Sequence, residues 1–207
     1  MATYAVPVQR GYGAAKRALD LGLCFLLLPV IALVLAVCAL AIWIDSPGPV
    51  IFKQERTGLH GRRFGMYKFR TMVANAEALK ADLQHLSIVP LPDFKIIEDP
   101  RITRVGRFLR KTSLDELPQL VNVIRGQMSL VGPRPTSFAP STYDLWHTER
   151  LEVLPGITGL WQVVGRNAAT FDERLRLDIE YIDRMSLRLD VWILLRTVLA
   201  VVRRSGA

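Results

Sequence analysis

Cysteine and histidine are scarce in this sequence, and acidic residues are outnumbered by basic ones. Only Cys24 and Cys38 are present, which excludes a disulfide-stapled scaffold. Both fall inside one apolar run, where free cysteine packs as a small hydrophobe. His60, His85 and His147 have neither metal spacing nor an evident serine or cysteine partner, so zinc chemistry and a histidine-based triad drop out. No G-x-y period, internal repeat or low-complexity tract occurs, which removes collagen, solenoids and disorder.

What remains is a mixture of something apolar and something basic. Half of the 207 residues are hydrophobic, yet 22% are charged, too many for a polytopic membrane protein. Mean hydropathy is +0.23, high for a soluble chain. Lys+Arg number 27 against 19 Asp+Glu, a net charge of +8. Such a charge suits nucleic acid, an anionic bilayer surface or phosphorylated substrates. The placement of the basic residues has to decide.

From Leu21 to Ile44 the chain runs without a charge, about 24 residues where roughly 20 suffice to cross a bilayer as a helix. It is too long for a signal-peptide core, and no A-x-A-like cleavage site follows it. Arg10, Lys16 and Arg17 precede the run, while Lys53, Arg56, Arg62, Arg63, Lys68 and Arg70 follow it. The positive-inside bias therefore draws both ends to the cytoplasm. Pro29 costs an interior helix on the order of 3 kcal/mol and favours a kink. A bent, re-entrant helix reconciles charges with proline; a single span with a mild kink is the alternative.

The Asp45-Ser46-Pro47-Gly48-Pro49 cluster ends that helix and a β-like run VIFKQERTG follows. Met72, Val73, Ala76, Leu79 and Leu83 recur at helical spacing, predicting an amphipathic helix from Arg70 to about Leu86. SIVPLPDFKIIEDP reads as loop. From Pro100 to Lys111, Arg101, Arg104, Arg107 and Lys111 share one helical face opposite Ile102, Val105 and Leu109, as in a helix lying on an anionic surface. LRLDVWILLRTVLAVVRR is helical but too short to span once Arg196 interrupts it, leaving shallow insertion or core packing.

The densest segment is TSLDELPQLVNVIRGQMSLVGPRP. Ser113 with Glu116 three residues on matches a capping box, with Gly126 as the stop, which by itself accounts for Asp115 and Glu116. Thr170 and Glu173 carry the same signature. The functional alternative is a pair of ionised carboxylates at a helix N-terminus, able to attack phosphorus or hold magnesium. Arg110 and Lys111 lie near in sequence, and Pro133 and Pro135 stiffen the backbone around Arg134, whose planar fork matches phosphate. Gly156, Gly159 and Gly165 allow a ligand close to the backbone, with Arg166 as a second anion clamp. Asp178, Asp183 and Asp190 read as helix-face acids unless folding brings one to Asp115.

Six ordered segments, KRALDLGLCFLLLPVIALVLAV, SPGPVIFKQERTG, YKFRTM, RFLRKTSLDELPQLVNVIRGQMSLVGPRP, LPGITGLWQVVGRN and YIDRMSLRLDVWIL, resemble the bacterial sugar transferases known as monotopic phosphoglycosyl transferases. The resemblance runs from about Lys16 to Arg204, with LDELPQL and VGPRP its most specific parts. It implies an α-rich α+β fold: a re-entrant N-terminal membrane helix plus a compact cytosolic domain with interfacial amphipathic helices. The expected divisions are a tail at 1–15, the membrane helix at 16–45 and the catalytic domain at 46–207. With so little sequence before Lys16, the chain resembles the minimal catalytic unit of the family.

The implied reaction moves a sugar phosphate from a UDP-sugar to polyprenol (undecaprenyl) phosphate with release of UMP, at the cytoplasmic face of the bacterial inner membrane. The resemblance makes Asp115 the nucleophile of a covalent phosphosugar intermediate and assigns Glu116 to the magnesium site and to acceptor activation. Asp115 and Glu116 are thereby the expected Mg²⁺ ligands. Lys68, Arg110, Arg134, Arg166 and Asp190 fall on family positions expected to bind substrate. The expected partners are UDP-sugar, polyprenol phosphate and membrane lipids, with no nucleic acid. Where the family carries Ser-Pro at the helix break, this chain has Leu28-Pro29. A membrane-anchored basic binding module without catalysis explains charge and apolar run equally, but does not require the Asp-Glu pair. A transferase that moves the sugar without its phosphate would release UDP.

Overall fold

The computed structural model describes residues 11–87, 96–137, 145–164 and 170–203. The uncharged run and its flanks form one helix, α1 (Tyr12–Asp45), continuous through Pro29 and ended where Ser46 turns extended. It is the one helix among the described residues long and apolar enough to cross a membrane. Its middle faces outward, with Leu26 74% and Leu33 68% exposed.

Both ends of α1 are built into the domain that follows. At the start, Arg17 donates to the carbonyls of Val123 at 2.6 Å and Ile124 at 3.0 Å, and Asp20 accepts from Ser129 Oγ at 2.7 Å. Cys24 is buried with Phe64, Met66, Val123 and Met128. At the far end, Cys38 and Ile42 pack on Phe69 and Leu109. Asp45 Oδ2 there accepts from the backbone N–H of Val105 at 3.0 Å.

β1 (Ile51–Thr57) and β2 (Arg63–Phe69) pair antiparallel, from Ile51 opposite Phe69 to Thr57 opposite Arg63. The expected helix from Arg70 to Leu86 does not form. Met72 instead bridges Ile102 across an isolated β-contact, and turns with 3₁₀ segments at Ala78–Lys80 and Gln84–Leu86 follow. Pairing with a distant segment outweighs local periodicity here. The predicted loop from Ser87 lies largely outside the described residues.

α2 (Arg104–Thr112) starts at the Thr103 cap, whose hydroxyl accepts from Gly106 N–H at 3.0 Å. Arg104, Arg107 and Lys111 are exposed as predicted, and so is Phe108 among them. Arg101 is the exception: it lies before the helix, buried against Asp99, with Nη2 2.6 Å from Oδ2. A 3₁₀ helix (Leu114–Gln119) leads into α3 (Leu120–Ile124). Asn122 pins α3 to β2, accepting from Tyr67 N–H at 3.0 Å and donating to Gly65 O at 2.8 Å.

β3 (Ser129–Val131) and β4 (Gly156–Thr158) pair in parallel. The glycines around them serve this pairing: a Cβ on Gly156 would lie 2.1 Å from Gly132 N, and one on Gly159 2.5 Å from Gly132 O. Their close neighbour is backbone, where a ligand had been expected. α4 (Leu160–Val164), α5 (Phe171–Asp183) and α6 (Leu187–Val202) complete the fold. The Thr170–Glu173 capping box is formed. Among the described residues the architecture is helix-rich, with one long apolar N-terminal helix and two small two-stranded sheets.

Candidate active site

Ser113 does not cap a helix with its side chain. It ends α2 in the left-handed region, φ 57°, and its hydroxyl makes no capping bond. Glu116 donates its backbone N–H to Ser113 O at 3.3 Å, while its carboxylate turns away from the backbone. The bend at Ser113 thus removes the structural explanation for the two acids and presents them on the short 3₁₀ helix.

The two carboxylates have opposite surroundings. Glu116 Oε1 accepts from Lys68 Nζ at 3.1 Å and from Arg134 Nη2; Oε2 accepts from Arg134 Nη1 at 3.3 Å. Burial works to raise its pKa, but Arg134 and Lys68 outweigh it and hold Glu116 at about 2. Asp115 has no hydrogen-bond or ion-pair partner among the described residues. Burial first, and the Glu116 charge second, push its pKa above the ordinary value. Asp115 is therefore an open and more basic carboxylate beside one that is held by two cations.

Each cation is delivered by a different element. Lys68 comes from β2, opposite Phe52 in the hairpin, and burial lowers its pKa. Arg134 follows β3 between Pro133 and Pro135. Arg110 comes from the last turn of α2, where Nε donates to Thr71 Oγ1 at 2.9 Å. Asp115 acts on its charge, though burial is the larger influence and lowers the Arg110 pKa.

Lys68 and Arg134 thus meet on Glu116, with Asp115 and Arg110 close enough to act on each other's charge. Asp190 joins none of their contacts. It is fully buried, accepting from Tyr12 Oη at 2.8 Å, Lys16 Nζ at 3.0 Å and Tyr181 Oη at 2.7 Å, where it ties α1 to α5 and α6. Arg166 and Gly165 lie outside the described residues.

Arg134 is supported by Arg150, which the sequence did not single out, and through it by Asp178, which the sequence reads as a helix-face acid. Arg150 donates through Nη2 to the Arg134 carbonyl and, at 2.7 Å, to Asp178 Oδ2. Asp178 is 2% exposed, and burial pushes its pKa up to about 7. No local pattern marks this bracket, since its members are 28 residues apart. His147 sits 3.5 Å from Asp172, and no group of three or more His, Cys, Asp or Glu among the described residues is arranged to hold a metal by itself.

A family described as bacterial sugar transferase matches residues 11–204. The galactosyl transferase CpsE of Streptococcus agalactiae is 49% identical over 163 residues, covering 77% of this chain and 36% of its own. The undecaprenyl-phosphate galactose phosphotransferase of Salmonella typhimurium is 45% identical over 197 residues, 93% of this chain and 41% of its own. The uncharacterized sugar transferase EpsL of Bacillus subtilis is 41% identical over 193 residues, 92% of this chain and 89% of its own. The chain spans less than half the length of the first two relatives and most of the third.

Proposed function

The chain belongs to the bacterial sugar transferases, and on that premise we propose that it transfers a sugar 1-phosphate from a UDP-sugar to polyprenol phosphate, releasing UMP. The observation that carries this reading is the contrast between Asp115, unpartnered and made more basic by burial, and Glu116, clamped by Lys68 and Arg134.

In the first half-reaction an Asp115 carboxylate oxygen attacks the phosphorus bearing the sugar. The bond from that phosphorus to the bridging oxygen breaks, and UMP leaves with the electron pair. An acyl phosphate linking Asp115 to the sugar phosphate remains. In the second, an oxygen of the lipid phosphate attacks the same phosphorus, and the Asp115 carboxylate is the leaving group. A phosphate monoester has its second pKa near 6, so the acceptor arrives largely ionised and needs no base. A carboxylate held at about 2 is a poor one. Glu116 in this reading fixes Lys68 and Arg134 around the reacting phosphates and screens them from each other.

Magnesium commonly binds through one or two carboxylates with substrate phosphate and water making up the rest. The residues fit that pattern: Asp115 is open, and Glu116 Oε2 accepts a single bond. Bound Mg²⁺ would supply neutralisation of the pyrophosphate charge.

A lipid acceptor and a soluble donor meet only at a membrane boundary, and we place this enzyme there, on the cytoplasmic face, with α1 entering and leaving the bilayer from one side. Residues 25–37 separate the two buried cysteines that lock α1 to the domain. They give about 20 Å of helix at 1.5 Å per residue, short of the roughly 30 Å hydrocarbon core. Exposed Trp43, Ile44, Ile51, Phe52 and Phe108, and Val191, Leu195 and Val198 on α6, supply apolar surface for shallow insertion.

Purified protein given sugar-labelled UDP-sugar and Mg²⁺ without acceptor should release UMP stoichiometrically and retain label on the protein. Polyprenol phosphate should then discharge it, and EDTA should silence the first step. Asp115→Asn should remove the adduct and turnover, a loss of at least about 10³-fold as expected when a covalent nucleophile is deleted. Release of UDP, or normal turnover by the Asn variant, would overturn the assignment.

A further inference from the structure

The arginines of the site are committed differently. Arg134 spends both Nη1 and Nη2 on Glu116, so its fork is occupied before any substrate arrives. Arg110 is held only through Nε, by Thr71 Oγ1 at 2.9 Å. Its Nη1 and Nη2 have no partner among the described residues. Asp99, the other acid acting on Arg110, is already engaged: Oδ1 accepts from Arg101 N–H at 3.0 Å and Nε at 2.9 Å, and Oδ2 from Nη2 at 2.6 Å.

Thr71 is in turn fixed by α2. Its carbonyl accepts from Thr103 N–H at 3.1 Å and would lie 2.0 Å from a Cβ on Gly106. Gly106 and Arg110, four residues apart, share one face of the helix. The missing side chain at 106 lets α2 settle directly on Thr71, whose hydroxyl then meets the guanidinium one turn further on. Thr71 is 7% exposed.

We propose that Thr71 is a positioning residue that holds Arg110 by Nε, leaving the two terminal nitrogens as a pre-oriented grip for the donor's diphosphate. The proposal rests on the transferase reading and adds to it a division of labour: Arg110 grips the donor with an open fork, while Arg134, whose fork is held by Glu116, contributes charge beside the phosphates. A guanidinium held at Nε keeps its fork in one plane and loses less freedom when two parallel N–H···O bonds form to phosphate.

The test is a double-mutant cycle on the full chain in detergent. Thr71→Val keeps shape and branching but removes the acceptor. Expected is a rise of about ten-fold in KM for the UDP-sugar, the scale of one hydrogen bond to a charged group, with little change in kcat or melting temperature. Thr71→Ser should recover most of the loss. In an Arg110→Lys background Thr71→Val should add nothing, because lysine offers no Nε–H to hold. Calorimetric binding of UDP should show the same pattern without turnover, so it still decides on Thr71 if wild type releases no UMP, the result that would sink the transferase reading. Thr71→Ala serves the cycle if the valine variant melts early. Equal loss in both Arg110 backgrounds, or no loss in UDP binding, would overturn the proposal.

Discussion

Glu116 carries an acid limb that can be measured. Its folded pKa of about 2 lies below the ordinary 4.5, so the folded state holds the charge more readily than the unfolded chain. That stabilisation is complete above the ordinary value and disappears as pH falls through 4.5 toward about 2. It amounts to about 3 kcal/mol. Glu116→Gln should melt lower than wild type at pH 7, and its disadvantage should shrink across that window. Parallel melting curves from pH 5 to 2 would show that Lys68 and Arg134 do not clamp this carboxylate. The members of the clamp were legible as residues, because LDELPQL and VGPRP are compact motifs. The asymmetry between Asp115 and its neighbour was not, since it arises from Lys68, 48 positions away, and from a left-handed Ser113 that the capping-box pattern hides.

α2 does its work by lying flush on Thr71. Gly106→Ala would drive a methyl into that backbone, an overpacking cost on the order of 1–3 kcal/mol, and should reduce transferase activity along with melting temperature. Normal stability in this variant, measured by thermal melting, would mean α2 can shift without consequence. Elements with strong local signals, α1, β1, α6 and the Thr170 cap, could be read from the sequence. The Arg70–Leu86 helix could not be judged locally, because Met72 is claimed by Ile102. The three-residue parallel pairing of β3 with β4 has no periodicity to show, and the glycines that permit it look the same as glycines awaiting a ligand.

For the molecule as a whole, topology is the open measurement. Single cysteines replacing exposed Ala14 and Glu55, before and after the apolar stretch, should react with an impermeant thiol reagent from the same side of sealed vesicles; buried Cys24 and Cys38 should contribute little background. Labelling from opposite sides would establish a transmembrane span. Charge placement predicts the same-side outcome, whereas the way α1 is stitched to the body at both ends depends on Asp20, Asp45 and two cysteines that carry no pattern. Cys24 fills one core while Cys38 and Ile42 fill another, so α1 is no detachable tether. Trimming it to obtain a water-soluble enzyme would open two holes in the body it leaves behind, and the protein must be handled whole, with amphiphile present throughout.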